Sequence, residues 1–197
     1  IKRIFADFGR KPRLSDLLSL KILRCSAAGA ILEAKRGDTM INSTLCYLRR
    51  GEDVLLLHRV KKENDLNHDK WIGVGGKFED KESPEDCALR EIREETGLTV
   101  TRWQYRGIVT FVSDRWETEY MHLFTADRFT GQLKECDEGV LEWIPWRRML
   151  ELPHWKGDEI FLNLIEDEST PFFSLKLHYD EQDVLLTAVL TGQSLNI

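Results

Sequence analysis

From Thr44 onward, apolar and polar positions follow a regular plan. Thr44–Arg49 and Asp53–Val60 are apolar, β-prone runs joined by Arg50-Gly51-Glu52, which predicts a hairpin. Lys61–Lys70 is polar and rich in turn formers, so it predicts a loop. Trp71–Phe78 mixes three glycines with β-prone residues and predicts a bent strand. Pro84–Thr96 has the marks of a helix: Ser83 as N-cap, Pro84 in the first turn, then Glu85 and Asp86, with Gly97 as the stop. Ala88, Leu89 and Ile92 mark its packed side. Leu98–Val112 and Glu119–Ala126 predict strands with a turn near Ser113–Thr118. Val140–Ile144 predicts a short strand ended by Pro145. Trp155, Ile160, Phe161, Leu164 and Ile165 recur at helical spacing, with Phe161 facing the core. Phe172–Tyr179 and Val184–Leu190 alternate around Asp180–Asp183 and predict a terminal hairpin. The expected class is α/β (α+β): a mixed sheet with at least two helices, in one domain from about Met40 to Leu190.

Residues 1–39 lack this regularity. They are basic at Lys2, Arg3, Arg10, Lys11 and Arg13, carry a short helical stretch at Ser15–Leu23, and reach a breaker at Arg36-Gly37-Asp38. Two expectations compete for them: an N-terminal extension, or translated sequence upstream of a natural start at Met40. We favour the second and assign them no function. Residues 40–197 are expected to form the functional domain.

Composition narrows the function classes. The 197 residues carry 34 acidic and 28 basic side chains, a formal net charge of -6. A surface that coats nucleic acid needs the opposite balance, so no polymeric nucleic acid is expected as a partner. A small phosphorylated ligand is still compatible, because local cations and a metal hold one inside an acidic protein. Cys25, Cys46, Cys87 and Cys136 form no CxxC pair, which points to free thiols in a reducing cytoplasm rather than to zinc or disulfides. No apolar run approaches ~18 residues, so no membrane span is expected. Leu14–Leu32 is broken by Asp16, Lys21 and Arg24, so no secretory signal is expected either. The chain is expected to be a monomer or homodimer.

One segment departs from ordinary amphipathic patterning. On the predicted helix, Glu91, Glu94 and Glu95 stand at i, i+3 and i+4, close to one side. Like charges at that spacing are mildly destabilising, unless a cation sits between them. Mg²⁺ prefers such hard oxygens and commonly bridges one or two carboxylates to substrate phosphates. For Glu94-Glu95 alone, a solvated helix face is the competing reading. Arg90, four residues before Glu94, is placed to pair with Glu94 or Glu82 and hold a carboxylate still. Gly75-Gly76 lets the backbone approach a ligand, and Gly97 suits a left-handed helix end.

Gly76, Glu82, Arg90-Glu91, Ile92, Glu94-Glu95, Gly97 and Leu98 together resemble the Nudix box, GX5EX7REUXEEXGU, where U is aliphatic. The resemblance implies an α/β/α sandwich around a mixed sheet, with the box as a loop-helix-loop. It also implies hydrolysis of a nucleoside diphosphate linked to another moiety. By position it makes Glu91, Glu94 and Glu95 ligands of Mg²⁺ (or Mn²⁺), one of them helping to deprotonate water, with Arg90, Glu82, Gly76 and Gly97 as scaffold. A backbone carbonyl at Gly75 or Gly76 is a further expected ligand. Downstream, Glu138 is the best match for an added acid, with a plain turn acid as the competing reading. Lys77 and the Arg59–Lys62 stretch are candidates for positive charge near the phosphates.

Over roughly Met40 to Leu190 the chain is also similar to MutT-type 8-oxo-dGTP diphosphatases. That resemblance implies a base pocket in which Trp155 stacks and Asp158 hydrogen-bonds the base edge. Two departures alter it: Gly157 stands where a second acid is expected, and Ile72 replaces an Asn that contacts the base. For Trp155 a core aromatic at a helix start is the competing reading. The leading expectation is a pyrophosphohydrolase of oxidised purine nucleoside triphosphates. The alternatives are ADP-ribose, a dinucleoside polyphosphate or another nucleotide as substrate, or a non-catalytic nucleotide-binding module, which would be expected to have lost box acids.

Overall fold

A computed structural model describes residues 40–61 and 65–197 of the chain. The readings that fall on residues 1–39, including Ser15–Leu23 and Cys25, and on Lys62 lie outside the described residues. Residues Met40–Ile197 form one compact unit.

Strict alternation builds the centre. In strand β1 (Ile41–Arg50), Leu45 and Tyr47 enter one apolar cluster while Cys46 and Leu48 enter another on the opposite face. In β2 (Asp53–His58), Val54 and Leu56 join the first cluster and Leu55 the second. A sheet apolar on both faces needs cover on both. Helix α1 (Pro84–Thr96) covers one face through Ala88 and Ile92. Helix α2 (Asp158–Glu166) covers the other through Phe161, Leu162 and Ile165. The result is the α/β/α sandwich expected from the sequence.

The remaining elements are β3 (Trp71–Ile72), β4 (Thr99–Ser113), β5 (Glu119–Thr130), β6 (Val140–Pro145), a 3-10 helix at Trp146–Glu151, β7 (Phe173–Tyr179), β8 (Leu185–Leu190) and β9 (Gln193–Ser194). The sheet runs β3-β2-β1-β5-β4-β7-β8-β9, with β6 on the other edge of β2. β1 pairs with β5, and β4 with β7, in parallel; the other pairs are antiparallel. The 3-10 helix is an addition to the expected elements; Trp146 and Met149 bury themselves there against the first cluster. The helical spacing that starts at Trp155 begins in a turn, and α2 itself starts at Asp158.

One detail of this sheet positions the functional site. β1 and β2 pair only near their hairpin, from Leu48↔Leu55 to Arg50↔Asp53. Beyond that they splay, and residues 71–77 enter the gap. Ile72 pairs with Leu57 of β2, while Val74 and Lys77 bridge Cys46 and Ser43 of β1. The predicted bent strand is therefore a wedge between two diverging strands.

A second detail holds α2 in place. A register shift between Tyr105 and Gly107 takes Arg106 out of the ladder. Its buried guanidinium donates to the carbonyls of Ile165 (3.2 Å), Leu164 (3.4 Å) and Asp167 (2.7 Å). These are the carbonyls that a helix C-terminus leaves without partners. Replacing Arg106 with Met keeps the apolar stem but removes all three donors. We expect Arg106→Met to lower unfolding free energy by about 2–4 kcal/mol in urea denaturation; an unchanged midpoint would show that solvent caps this helix equally well.

Candidate active site

Helix α1 begins as its sequence predicts. The Ser83 side chain accepts from Asp86 N–H (3.1 Å) and the Asp86 carboxylate accepts from Ser83 N–H (3.0 Å), a reciprocal cap. Gly97 closes the helix in the left-handed region at φ 77°, its N–H bonded to Arg93 O (3.0 Å). Between these caps, Arg90 gathers the carboxylates. It binds Glu82 at two points (Nε 2.6 Å, Nη2 2.9 Å) and also reaches Glu91 (2.8 Å), Glu94 (3.2 Å) and the Lys77 carbonyl (3.1 Å). The paired guanidinium holds the Glu82 carboxyl down at about 2. Glu82 also accepts from Glu79 N–H (2.8 Å), which ties the loop before the helix to the same node.

The wedge meets the helix at Gly75-Gly76. Gly75 N–H donates to Glu95 Oε2 at 3.1 Å. A Cβ on Gly75 would lie 2.1 Å from Thr44 O, and one on Gly76 would lie 2.3 Å from the Glu91 carboxylate. Both glycines are required by close approach rather than by an unusual turn. The Gly76 carbonyl accepts from Thr44 N–H (2.8 Å), so it is turned toward β1.

Glu95 is buried, and burial raises its carboxyl from 4.5 to about 8, with Glu138 and Glu91 adding repulsion. Burial also raises Glu91, against the pull of Arg90. Glu138 joins the group from outside the helix, in an ion pair with Arg59 Nη1. Arg59 is fixed in turn by Asp65, at 2.7 Å from Nε and 2.6 Å from Nη2. Glu94 differs from its neighbours: its side chain is 61% exposed and turned to Arg90.

Of these groups, Arg59, Asp65, Glu91 and Glu138 border one cleft of about 820 Å³. Gly75, Gly76, Lys77, Arg59, Arg90, Glu91 and Glu138 line it, and so do Leu66, Asn67, Ile72, Phe111, Trp155 and Asp158. The structure thus brings Lys77, Glu91, Glu138, Trp155 and Asp158 onto one cavity, while Glu94 and Glu95 are not among its lining residues; Glu95 reaches it through Gly75, whose N–H it accepts. Trp155 is only 7% exposed. Its ring is packed by Phe111, Tyr179 and the Lys70 ammonium, and its indole N–H donates to Asn67 Oδ1 (2.9 Å). Trp155 is therefore mostly core, with a small part facing the cleft. Asp158 is buried beside it, and burial raises its carboxyl to about 7. Asp65, Asn67, Glu119, Arg115 and Trp116 carry no motif, and only the folded chain shows them at the cleft.

Among the described residues, no three His, Cys, Asp or Glu side chains form a ready-made metal cage, and no helix is long and apolar enough to cross a membrane.

Comparison with known proteins agrees with this geometry. Residues 40–165 match the NUDIX domain, so the chain belongs to the Nudix family, and it is a hydrolase. A Bacillus subtilis (strain 168) protein named uncharacterized Nudix hydrolase YvcI is 35% identical over 127 residues, 62% of this chain and 77% of that protein. The Danio rerio oxidized purine nucleoside triphosphate hydrolase is 34% identical over 106 residues, 53% of this chain and 67% of that protein. A mutator MutT crystal structure from Bacillus halodurans superposes with TM-score 0.67 at 30% identity, covering 76% of this chain and 97% of that one.

Nudix hydrolases generally use divalent metal ions. The residues here fit one. The available donors are hard carboxylate oxygens, and the raised proton affinity of Glu95 beside Glu138 and Glu91 is what a cation would relieve. Such ions keep several waters and need only one or two carboxylates, so a preformed cage is not required.

Two outcomes follow from the packing. Gly76→Ala should abolish activity while leaving the far-ultraviolet circular dichroism unchanged, because the new methyl group and the Glu91 carboxylate cannot share one position. In metal-free protein, Glu95 binds its proton more tightly folded (about 8) than its ordinary value of 4.5. Its contribution is then intact below pH 4.5 and is lost as pH rises toward 8. The melting temperature of the wild type should therefore fall relative to Glu95→Gln between pH 5 and pH 8; parallel melting curves would contradict this.

Proposed function

We propose that residues 40–197 form a Mg²⁺-dependent pyrophosphohydrolase of oxidised purine nucleoside triphosphates such as 8-oxo-dGTP, releasing the monophosphate and pyrophosphate. The observation that carries this reading is the shared cleft: it is lined by the box carboxylate Glu91, raised by burial, with Glu138 and Arg59, and also by a tryptophan with a buried carboxyl, Asp158. The name of the Danio rerio relative supports the same substrate class.

In this reading Glu91, Glu95 and Glu138 hold Mg²⁺, with Mn²⁺ able to substitute. The Gly75 carbonyl completes the protein ligands, because the Gly76 carbonyl expected as an alternative is engaged by Thr44 N–H, and Glu94 joins from the exposed side of Arg90. The metal supplies charge neutralisation of the phosphates and a lowered pKa for the attacking water. The chain's own side chains do the rest. Arg90 keeps Glu82 and Glu91 fixed, so the carboxylates meet substrate already oriented. Arg59 holds Glu138 against the helix. Lys77, exposed at the cleft, draws in the phosphates. One of Glu91, Glu94 and Glu95 takes a proton from the attacking water. In the same cleft the exposed part of Trp155 contacts the base, and Asp158 hydrogen-bonds its edge.

The test is a turnover panel of oxidised and normal nucleoside triphosphates, ADP-ribose and a dinucleoside polyphosphate, with and without Mg²⁺. Release of pyrophosphate is expected to be fastest from an oxidised purine triphosphate and to vanish with EDTA. Preferred cleavage of ADP-ribose would reassign the substrate. Tight binding without turnover of any member would point to a binding module instead. Glu95→Gln should lower kcat by about 100-fold or more while the protein stays folded; turnover like the wild type would remove Glu95 from the metal site.

A further inference from the structure

We propose that Asn67 is a specificity-determining residue, whose side-chain amide donates to a carbonyl oxygen on the substrate base and so favours 6-oxo over 6-amino purines. This deepens the proposed function and rests on its assignment of a purine to the Trp155 end of the cleft.

The inference starts from a chain of contacts in the loop between β2 and β3. Arg59 grips the Asp65 carboxylate from Nε and Nη2, and both side chains are nearly buried, at 12% and 11% exposure. The other Asp65 oxygen accepts from Asn67 N–H at 3.1 Å, and Asp65 O accepts from His68 N–H at 3.0 Å. Lys70 N–H then returns to Asn67 O at 3.0 Å. The backbone around Asn67 is thus held from three directions. A loop side chain placed in this way can act as a rigid reader instead of a solvated one.

Its side chain has a defined orientation. Asn67 Oδ1 lies 2.9 Å from Trp155 Nε1. An indole nitrogen only donates, so the amide must present its oxygen to Trp155. The amide nitrogen, with two N–H donors, is then left for other partners. It has none among the described residues, and no buried side-chain nitrogen or oxygen there lacks one, so it is open to the cleft that Asn67 lines. Trp155, Asp158, Ile72 and Leu66 line the same cleft.

A donor pair at this position distinguishes purines by their six-membered ring. A 6-oxo purine offers an acceptor oxygen at C6, and a 6-amino purine offers a donor there. The amide of Asn67 complements the first and opposes the second. A carboxyl such as Asp158 matches the ring N1–H that accompanies the 6-oxo form. Ile72, which is apolar, has no group for this task, and Asn67 supplies it from the neighbouring loop.

Asn67→Asp tests the idea, because it keeps an acceptor oxygen for Trp155 and nearly the same shape while removing the donors. The substrates are 8-oxo-dITP and 8-oxo-dATP, which differ only at C6 and N1. The wild type should prefer the first. In Asn67→Asp the ratio of kcat/KM values should fall about tenfold or more. The loss is expected as weaker apparent binding of the 6-oxo nucleotide, seen in KM, with kcat and melting temperature retained. The added charge repels both triphosphates equally and cancels in the ratio. Asn67→Leu, which loses the donors and also the bond to Trp155, should lower the ratio as well and, by releasing Trp155, slow both nucleotides in addition. An unchanged ratio in Asn67→Asp, with the wild type active on both, overturns the inference and leaves Asn67 as a support for Trp155. A wild type that hydrolyses neither nucleotide overturns the proposed substrate class, and this inference falls with it.

Discussion

The site depends on one guanidinium. Arg90 touches Glu82, Glu91, Glu94 and the Lys77 carbonyl, so a loop, a helix and the end of the wedge share a single cation. Without it, the carboxylates of this region would repel one another and spread into solvent. With it, Glu82 is held ionised at about 2 while Glu95, out of its reach and buried, is pushed to about 8. Two carboxyls of one box, Glu82 and Glu95, thus acquire different proton affinities from their surroundings alone. The first is an anchor, and the second is the carboxyl most in need of a neighbouring cation.

Much of this was legible in the sequence, and the reasons are local. The limits of α1 follow from Ser83, Pro84 and Gly97, whose preferences act within one turn of the chain. The roles of Gly76 and Arg90 follow from fixed spacing on one helix and its preceding loop. Alternation in β1 and β2 shows which residues are apolar without showing which cluster each joins, since that needs the helices in place. The 3-10 helix after β6 leaves no such mark, because Pro145 ends the strand and Trp146–Glu151 has too few residues to display a period.

The cleft is harder to read than the helix because its members come from distant parts of the chain. Asn67 and Trp155 are 88 positions apart, and Arg59 and Glu138 are 79 apart. No spacing rule relates such pairs; they meet because β2 carries the loop and β6 pairs along its other edge. Trp155 illustrates the same limit. A helical period places it near the core, and the fold shows it buried against Phe111 and Tyr179 yet still bordering the cavity. The two readings of this residue were never exclusive.

The splay of β1 from β2 has a consequence for how such a protein can change. The wedge at 71–77 is stitched to both strands, so the glycines that meet α1 keep their positions whatever happens in the loop before them. That loop, between β2 and β3, contributes Asp65, Leu66 and Asn67 to the cleft. Substitutions there that keep Asp65, and with it Arg59's hold on Glu138, can reshape this wall of the cleft without moving Gly75-Gly76. One wall of the cavity is thus woven into the sheet and another is hung on a connection, and only the second can be remodelled without unpicking strands.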